Sequence, residues 1–545
     1  MAHMTGGEAV ARTLEALGVT KVFGIVSVHN LPVYDALTRV VGIEVIRARH
    51  EQAAVHAADG FARATGRLGV ALTSTGPGAA NAVPGLYEAR FGSSPVLMIT
   101  GQTESSVYGK GKGFVHEHET QVEMLGSVVR RVESVRRPAD IPTIVDLVGR
   151  DCLTGRPSSG AVEIPIDYQY LEMDHEIPGP RPIDRRQSDI ELIEQAAELL
   201  SGAERPLIWA GGGVVSADAS PQLIALAEKL DAPVITTLEG RGAIPETHRL
   251  ALGPRTERPA MTPIIEEADV VLAVGTRFQN YSTRVWRLPI PGRIIHLDAD
   301  PHMIGLNYRA EVGIVGDAQL GLAALGEAVT GGNTDSGYLD RAAKSVEADL
   351  ERSREEIGPD HQAICGIIRR LLPDDAVIVR DSTVPNYLWG NRTLPILAPR
   401  TSMRPSSSSI GPGIGLAFGA AVGSRARTFL MVGDGGFQLL IGELASIAEY
   451  QLPIVICVFN DGGYGVLRII QDAVLEARTG VDLHTPDFAA VARGMGLDAA
   501  SVDSVDSFEA VFAEAVERPG PTLIDVAMGG LAPMSFRLPP HQRRP

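Results

Sequence analysis

Short, wholly apolar runs alternate with stretches of helical spacing from one end of this chain to the other. In the first segment, residues 21–26, 43–47, 69–75, 95–101 and 161–166 read as strands, and residues 6–17 as a helix with Val10, Leu14 and Leu17 on one face. In the second, 206–210, 233–237, 268–275 and 293–298 read as strands; in the third, 376–380, 428–432, 454–459 and 521–527, with a helix at 439–450. Runs that do not alternate with polar residues fit strands covered on both faces, so the sheets should be parallel, with helices on either side. The expected fold is α/β, three doubly wound parallel-sheet domains at 1–174, 188–330 and 340–532. A proline-rich linker at 173–187 and a Gly/Asn/Ser linker at 331–337 separate them, and a loosely held tail follows at 533–545.

Two turns in the third segment carry chemistry. The 428–432 strand runs into Gly433-Asp434-Gly435-Gly436, and the 454–459 strand into Asn460-Asp461-Gly462-Gly463. Parallel strands joined by a helix carry both turns at the carboxyl edge of the sheet, where sites on such sheets lie. Two carboxylates beside glycine turns suit a hard cation such as Mg²⁺ or Ca²⁺. Free N–H groups at a helix start suit a phosphate. Together they describe a site for a magnesium diphosphate. Asp-Gly alone is a common turn; two such turns flanking a helix and a strand carry the reading.

Composition narrows the field. At 545 residues the chain exceeds one core. A net charge of −17 argues against nucleic acid as a partner, and 5% aromatic content against stacking platforms for single strands. Cys152, Cys365 and Cys457 form no CxxC and read as core residues of a reducing compartment. No apolar run reaches the roughly 18 residues of a membrane span. Met1-Ala2-His3-Met4 reads as a cloning remnant and not as part of a signal peptide, so the expected place is cytoplasmic. Gly211-Gly212-Gly213 lacks the full GxGxxG spacing, and nicotinamide binding is not expected there.

The stretch 432–465 resembles the thiamine diphosphate motif, which runs from Gly-Asp-Gly to a later Asn-Asn or Asn-Asp; the match includes Gly463-Tyr464-Gly465. The resemblance implies that Asp434, Asp461 and the Gly463 carbonyl hold Mg²⁺, with Gly433, Gly435, Gly436, Tyr464 and Gly465 around the diphosphate. Many relatives carry Asn where Asp461 stands, and either side chain offers an oxygen. Arg49-His50-Glu51 marks a strand giving way to a helix of small residues. An acid at a helix start is also favoured by the macrodipole. In the thiamine family a glutamate in this context contacts N1′ of the aminopyrimidine and favours the imino tautomer, whose nitrogen takes the C2 proton. Glu51 is the implied catalytic group.

Further matches follow. Thr75-Gly76-Pro77-Gly78 with Asn81 resembles the turn beside the pyrimidine, though any strand-to-helix turn can use Gly-Pro-Gly. Ile410-Gly411-Pro412-Gly413 resembles the segment whose bulky apolar residue wedges the cofactor into a V, here Ile410, with the Ser408 carbonyl facing the 4′-amino group. Asp381-Ser382-Thr383 resembles the loop whose hydroxyls bind the diphosphate, through Ser382 and Thr383. The serines at 406–409 lack the GxSxG of a nucleophile elbow.

The resemblance covers nearly the whole chain, in the domain order of acetolactate synthase, pyruvate oxidase, benzoylformate decarboxylase and benzaldehyde lyase. Gly275-Thr276-Arg277-Phe278 and His296-Leu297-Asp298-Ala299-Asp300 are most similar to the synthase. In synthases that bind FAD the central domain holds the flavin; here Gln279 to Tyr281 depart from the flavin-contacting pattern. Val28 and His29 follow the first strand and should face substrate, His29 where benzaldehyde lyase also has a histidine. The stretch 114–119 stands where acetolactate synthases have Phe-Gln, and that pair is missing. His116 and His118 there either relay protons or belong to a solvated charged loop. A metal at this stretch is not expected, since neighbours on an extended chain point to opposite sides. Leu467 and Arg468 are further substrate candidates, Arg468 for a carboxylate.

The implied function is thiamine diphosphate- and Mg²⁺-dependent cleavage or formation of a bond next to a carbonyl. Its expected form is decarboxylation of a 2-oxo acid, the carbanion being protonated or added to a second carbonyl. The alternatives are an acyloin lyase or ligase resembling benzaldehyde lyase, acting on an aldehyde or ketone, and an enzyme similar to 2-hydroxyacyl-CoA lyase or oxalyl-CoA decarboxylase. A non-catalytic cofactor-binding relative would have lost Glu51 or the metal ligands, and all are present. The resemblance also implies a homodimer or homotetramer, with each cofactor between the first domain of one subunit and the third of another.

Overall fold

A computed structural model describes residues 2–332 and 334–535. Three six-stranded sheets, all parallel, form three α/β domains. The N-terminal sheet runs Glu44–Arg47, Lys21–Gly24, Gly69–Thr73, Val96–Gln102, Ser159–Pro165, Arg131–Ser134 from edge to edge. The C-terminal sheet runs Ser402–Met403, Val377–Arg380, Thr428–Gly433, Ile454–Asn460, Thr522–Ala527, Asp498–Val502. Counted along the chain, both have the order 2-1-3-4-6-5, so these two domains are repeats of one design. The central sheet differs: Ala251–Gly253, Val234–Thr236, Pro206–Ala210, Val270–Val274, Arg293–Asp298, Val312–Val315, the order 3-2-1-4-5-6. That is the order of dinucleotide-binding folds.

Most apolar runs became strands buried on both faces, as in Val96–Gln102 and Ile454–Asn460, while the 43–47 run became the largely exposed edge strand Glu44–Arg47. The strands that the pattern does not announce are short, polar or at sheet edges, such as Arg131–Ser134 and Asp498–Val502. Ala2–Thr5, which include three of the four residues read as a cloning remnant, form a strand antiparallel to Glu172–His175, with Ala2 opposite His175. The proline-rich linker therefore begins after this strand. The second linker ends early: Asp335 caps a long helix, Ser336–Leu371, bent at Gly358 (φ 74°). The first turns of this helix belong to the central domain, where Tyr338 is fully buried and its Oη donates to the Ile264 carbonyl at 3.0 Å. The tail expected at 533–545 lies mostly outside the described residues.

The N- and C-terminal domains share a core. The Glu51–Thr65 helix is buried from Ala53 to Ala62, and the Pro412–Ser424 helix from Pro412 to Val422. Helices buried on every side must be covered on every side. These two cover each other through small residues: a Cβ on Gly60 would lie 2.1 Å from the Leu416 carbonyl oxygen, and one on Gly419 1.7 Å from that of Ala57. Cys152, Cys365 and Cys457 are buried free thiols. No helix among the described residues is long and apolar enough to cross a membrane.

Candidate active site

In both repeated sheets the strand order reverses between the first and third strands, and that opening is where ligands of such folds bind. In the C-terminal domain the flanking loops are Asp381-Ser382-Thr383 and Asp434-Gly435-Gly436, with Asp461 one strand further. In the N-terminal domain they are 25–30, with His29, and Ser74 to Gly78. Glu51 follows the neighbouring edge strand. Topology thus gathers the residues marked in the sequence into two clusters.

The C-terminal cluster is a carboxylate-lined cradle. The Thr428–Gly433 strand feeds a helical turn, Asp434–Phe437, directly. The helix expected at 439–450 therefore begins earlier, and it is broken: Gln438–Glu443 tightens into a 3₁₀ turn before Leu444–Glu449. Asp461 N–H points to Asp434 Oδ1 at 3.4 Å. Asp434 Oδ2 and Asp461 Oδ1 are buried without a hydrogen-bond partner, and the Arg468 guanidinium stands 3.8 Å from Asp461 Oδ1. Burial, then the neighbouring Asp461 charge, pushes the Asp434 carboxyl up to about 6; burial also raises that of Asp461, against the pull of Arg468. Gly463 has φ 152°, and its carbonyl lies beside Gly435. Two buried carboxylate oxygens without a hydrogen bond and a main-chain carbonyl suit an oxygen-seeking cation. Among the described residues no three His, Cys, Asp or Glu side chains cluster as metal ligands, so any such ion leans on this mixed set.

Glycine is required around the cradle. A Cβ on Gly435 would meet the Tyr464 ring at 2.7 Å, one on Gly433 Thr383 Oγ1 at 3.1 Å, and one on Gly465 Asp461 Oδ2 at 1.8 Å. Asp381 is fully buried and accepts from the N–H groups of Ser382, Gly411 and Gly413 at 2.6, 3.0 and 2.8 Å. It thereby ties the Ile410 loop to the cradle, and Ile410 stands over Gly436. Ser408 is in a left-handed conformation (φ 64°), and the Ser382 hydroxyl approaches its carbonyl at 3.5 Å.

Arg468 is already engaged. It donates to the Asp461 and Gly462 carbonyls at 3.2 and 3.1 Å and pairs with Asp482 at 2.9 Å. Its guanidinium braces the Asp461 turn, while Leu467 points outward, half exposed.

In the N-terminal cluster, Glu51 opens its helix and Oε2 accepts from Asn81 Nδ2 at 3.1 Å. A Cβ on Gly78 would lie 3.1 Å from Glu51 Oε1, so the turn leaves that oxygen room. Gly76 has φ 58°, and Pro77 starts the next helix. The His116 carbonyl lies over Gly76, and the His29 and His116 rings are 5.0 Å apart. His29 is nearly buried with Nδ1 unpartnered; burial, then His116, depresses its pKa. His118 makes no side-chain hydrogen bond among the described residues, and Val28 is exposed. No residue of the C-terminal domain hydrogen-bonds the Glu51 carboxylate among the described residues.

Sequence reasoning missed the support behind these groups. Gln121 Oε1 accepts from Thr75 Oγ1 and Gly76 N–H at 2.9 and 2.8 Å, and its amide donates to buried Glu163 at 2.8 Å. Glu88 accepts from Ser406 and Ser407 N–H at 2.6 and 3.1 Å and pairs with Arg63 at 3.0 Å, holding the loop before Ser408. In the central domain the glycines serve close packing: a Cβ on Gly211 would sit 2.1 Å from the Gly275 carbonyl oxygen.

Comparison with known proteins agrees along the whole chain. Three family models match: the thiamine pyrophosphate enzyme N-terminal TPP binding domain over residues 4–124, its central domain over 193–325 and its C-terminal TPP binding domain over 385–526. A probable acetolactate synthase large subunit of Methanocaldococcus jannaschii is 33% identical, covering 96% of this chain and 92% of its own. The acetolactate synthase large subunit of Corynebacterium glutamicum is 33% identical over 97% of this chain and 87% of its own. A probable 2-ketoarginine decarboxylase of Pseudomonas aeruginosa is 32% identical over 96% and 94%.

Proposed function

The chain belongs to the thiamine pyrophosphate enzyme family, and on that premise we propose that it decarboxylates a 2-oxo acid with thiamine diphosphate and Mg²⁺, then protonates the product carbon or joins it to a second carbonyl. The observation that carries this reading is the pair of buried oxygens without a hydrogen bond, Asp434 Oδ2 and Asp461 Oδ1, at the carboxyl ends of adjacent strands. Relatives named for acetolactate synthesis and for decarboxylation of 2-ketoarginine support the substrate class.

Bound thiamine diphosphate supplies a nucleophilic carbon and an electron sink for the substrate carbonyl. The chain supplies the rest. Asp434, Asp461 and the Gly463 carbonyl would hold Mg²⁺, and the backbone of Gly433 to Gly436 with Ser382 and Thr383 the diphosphate. Ile410 would support the bend between the rings, and the Ser408 carbonyl would accept from the 4′-amino group. Glu51 would hold a proton at N1′. His29 and His116 would exchange protons with substrate, His29 being neutral at pH 7 because burial depresses its pKa. Arg468 would brace the Asp461 turn, its guanidinium being engaged by the Asp461 carbonyl and Asp482.

Among the described residues the Glu51 carboxylate takes no hydrogen bond from the C-terminal domain, and the family resemblance supports a cofactor held between two subunits and hence a homodimer or a tetramer built from dimers. A second reading, acyloin cleavage or ligation, is favoured by buried His29 with its free Nδ1 at the substrate side. The central domain has dinucleotide-fold topology; visible absorbance of the purified protein would report a flavin there. The composition supports a cytoplasmic enzyme.

The test offers the protein with thiamine diphosphate and Mg²⁺ a panel of pyruvate, benzoylformate, 2-ketoarginine and benzoin, following CO₂ and products together. CO₂ with aldehyde means a decarboxylase, and CO₂ with a hydroxyketone a carboligating one. Benzoin cleavage without CO₂ selects the second reading. Failure to bind thiamine diphosphate rejects both.

A further inference from the structure

The strand Glu44–Arg47 is an edge of the N-terminal sheet, so N–H groups there and in the turn that follows need acceptors other than a strand. The C-terminal domain provides them. Tyr450 Oη accepts from Arg47 N–H at 2.8 Å. Glu443 Oε1 accepts from both Arg49 N–H and His50 N–H, at 2.8 and 3.0 Å. Glu449 pairs with the Arg49 guanidinium at 2.7 Å.

Glu443 is 1% exposed, an uncommon place for a carboxylate, and burial pushes its pKa up. Its two main-chain donors are the residues immediately before Glu51. His50 in turn caps the Glu51 helix, Nδ1 accepting from Gln52 N–H at 3.1 Å. Glu443 also ends the 3₁₀ turn that follows Asp434–Phe437. One short segment, buried at Asp434–Phe437 and again at Glu443, thus runs from the Asp434 carboxylate to the peptide that launches Glu51.

We propose that Glu443 is a positioning residue for Glu51, holding the Arg49–His50 backbone so that the Glu51 carboxylate is set for N1′; this rests on the thiamine diphosphate reading. It makes the Asp434 turn and the Glu51 helix of one chain a single unit. If each cofactor lies between subunits, that unit joins one site to the next.

The test is exchange of the C2 proton of bound thiamine diphosphate for deuterium, read by quenched NMR, which needs no known substrate. Glu443→Ala should slow exchange about tenfold to a hundredfold, the scale of a misplaced catalytic group, while cofactor affinity changes less than about twofold. Glu443→Gln keeps an oxygen for both N–H groups and should exchange like the parent. Glu51→Gln sets the floor. Without cofactor, amide hydrogen exchange over residues 44–52 should speed up in Glu443→Ala and not in Glu443→Gln. If the alanine variant does not fold, Glu443→Asp, whose carboxylate retracts from both amides, carries the same expectation. Parent-like C2 exchange in the folded Ala or Asp variant, with Glu51→Gln slow, overturns the inference alone. A parent protein that does not bind thiamine diphosphate overturns the functional reading and this inference with it.

Discussion

Asp461 N–H faces Asp434 Oδ1 at 3.4 Å, and each carboxylate keeps one buried oxygen without a hydrogen bond, that of Asp461 lying 3.8 Å from the Arg468 guanidinium. Such a pair is costly without a cation between its members. Mg²⁺ with thiamine diphosphate should therefore raise the unfolding temperature, by binding to the folded state alone. Asp434→Ala should abolish that rise, and Asp461→Asn, which keeps an oxygen, should retain most of it. Thermal unfolding with and without Mg²⁺ checks this. An equal rise in the Asp434→Ala protein would show that the ion binds elsewhere.

Glu51 opens its helix with one oxygen on Asn81 and the other beside Gly78. Glu51→Gln preserves size and hydrogen bonding but removes the shared proton. Turnover should fall by about 10² or more, the range of a lost acid–base group, with the cofactor still bound. Steady-state rates and cofactor titration on the same sample separate the two effects. Normal turnover would remove the tautomer argument.

His56 lies inside the shared helix interface, fully buried, and burial depresses its pKa to about 4. The unfolded chain has the ordinary value near 6.5 and binds the proton first. Stability from this group is thus complete above pH 6.5 and is lost as pH falls toward 4, by roughly 3 kcal/mol. His361, buried and also depressed to about 4, adds a loss of the same sign. Denaturant unfolding between pH 7.5 and 4.5 should show the decline, and His56→Gln should flatten part of it. An unchanged slope in that variant would mean His56 is not the titrating group.

The two aspartates were legible because strand, glycine turn, helix and strand follow one another locally, and topology then does the rest. Glu443 left a weaker trace: it shares the buried side of its segment with Leu440, Leu444 and Ile447. Gln121 left none, since a glutamine among polar residues acquires its role only when the Thr75 turn folds over it. The Ser336–Leu371 helix was illegible in its first half because charge dominates there and few apolar residues, Tyr338 and Ala342 foremost, anchor it to the central core, while buried Asp349 pairs with Arg255 and Arg258. The order of the central sheet depends on which strands pair, and pairing is not written in any single run.

The helix pair beneath the site sets the last expectation, because it reverses a rule of helix propensity. Glycine inside a helix usually costs about 1 kcal/mol against alanine. Gly366, in the Ser336–Leu371 helix, has nothing within 4 Å of its missing Cβ, so Gly366→Ala should stabilise by about that amount. Gly419 is also helical, yet its Cβ would lie 1.7 Å from the Ala57 carbonyl oxygen and 2.5 Å from its carbon. A main-chain atom cannot swing aside as a side chain can. The helices must part, and overpacking of this kind costs about 1–3 kcal/mol, enough to outweigh the propensity gain. Gly419→Ala should lower stability. It should also slow C2 exchange, since parting the helices displaces Glu51. Denaturant unfolding of the two variants side by side measures the difference in sign; a Gly419→Ala protein as stable as the Gly366→Ala one would refute the close approach of the helices.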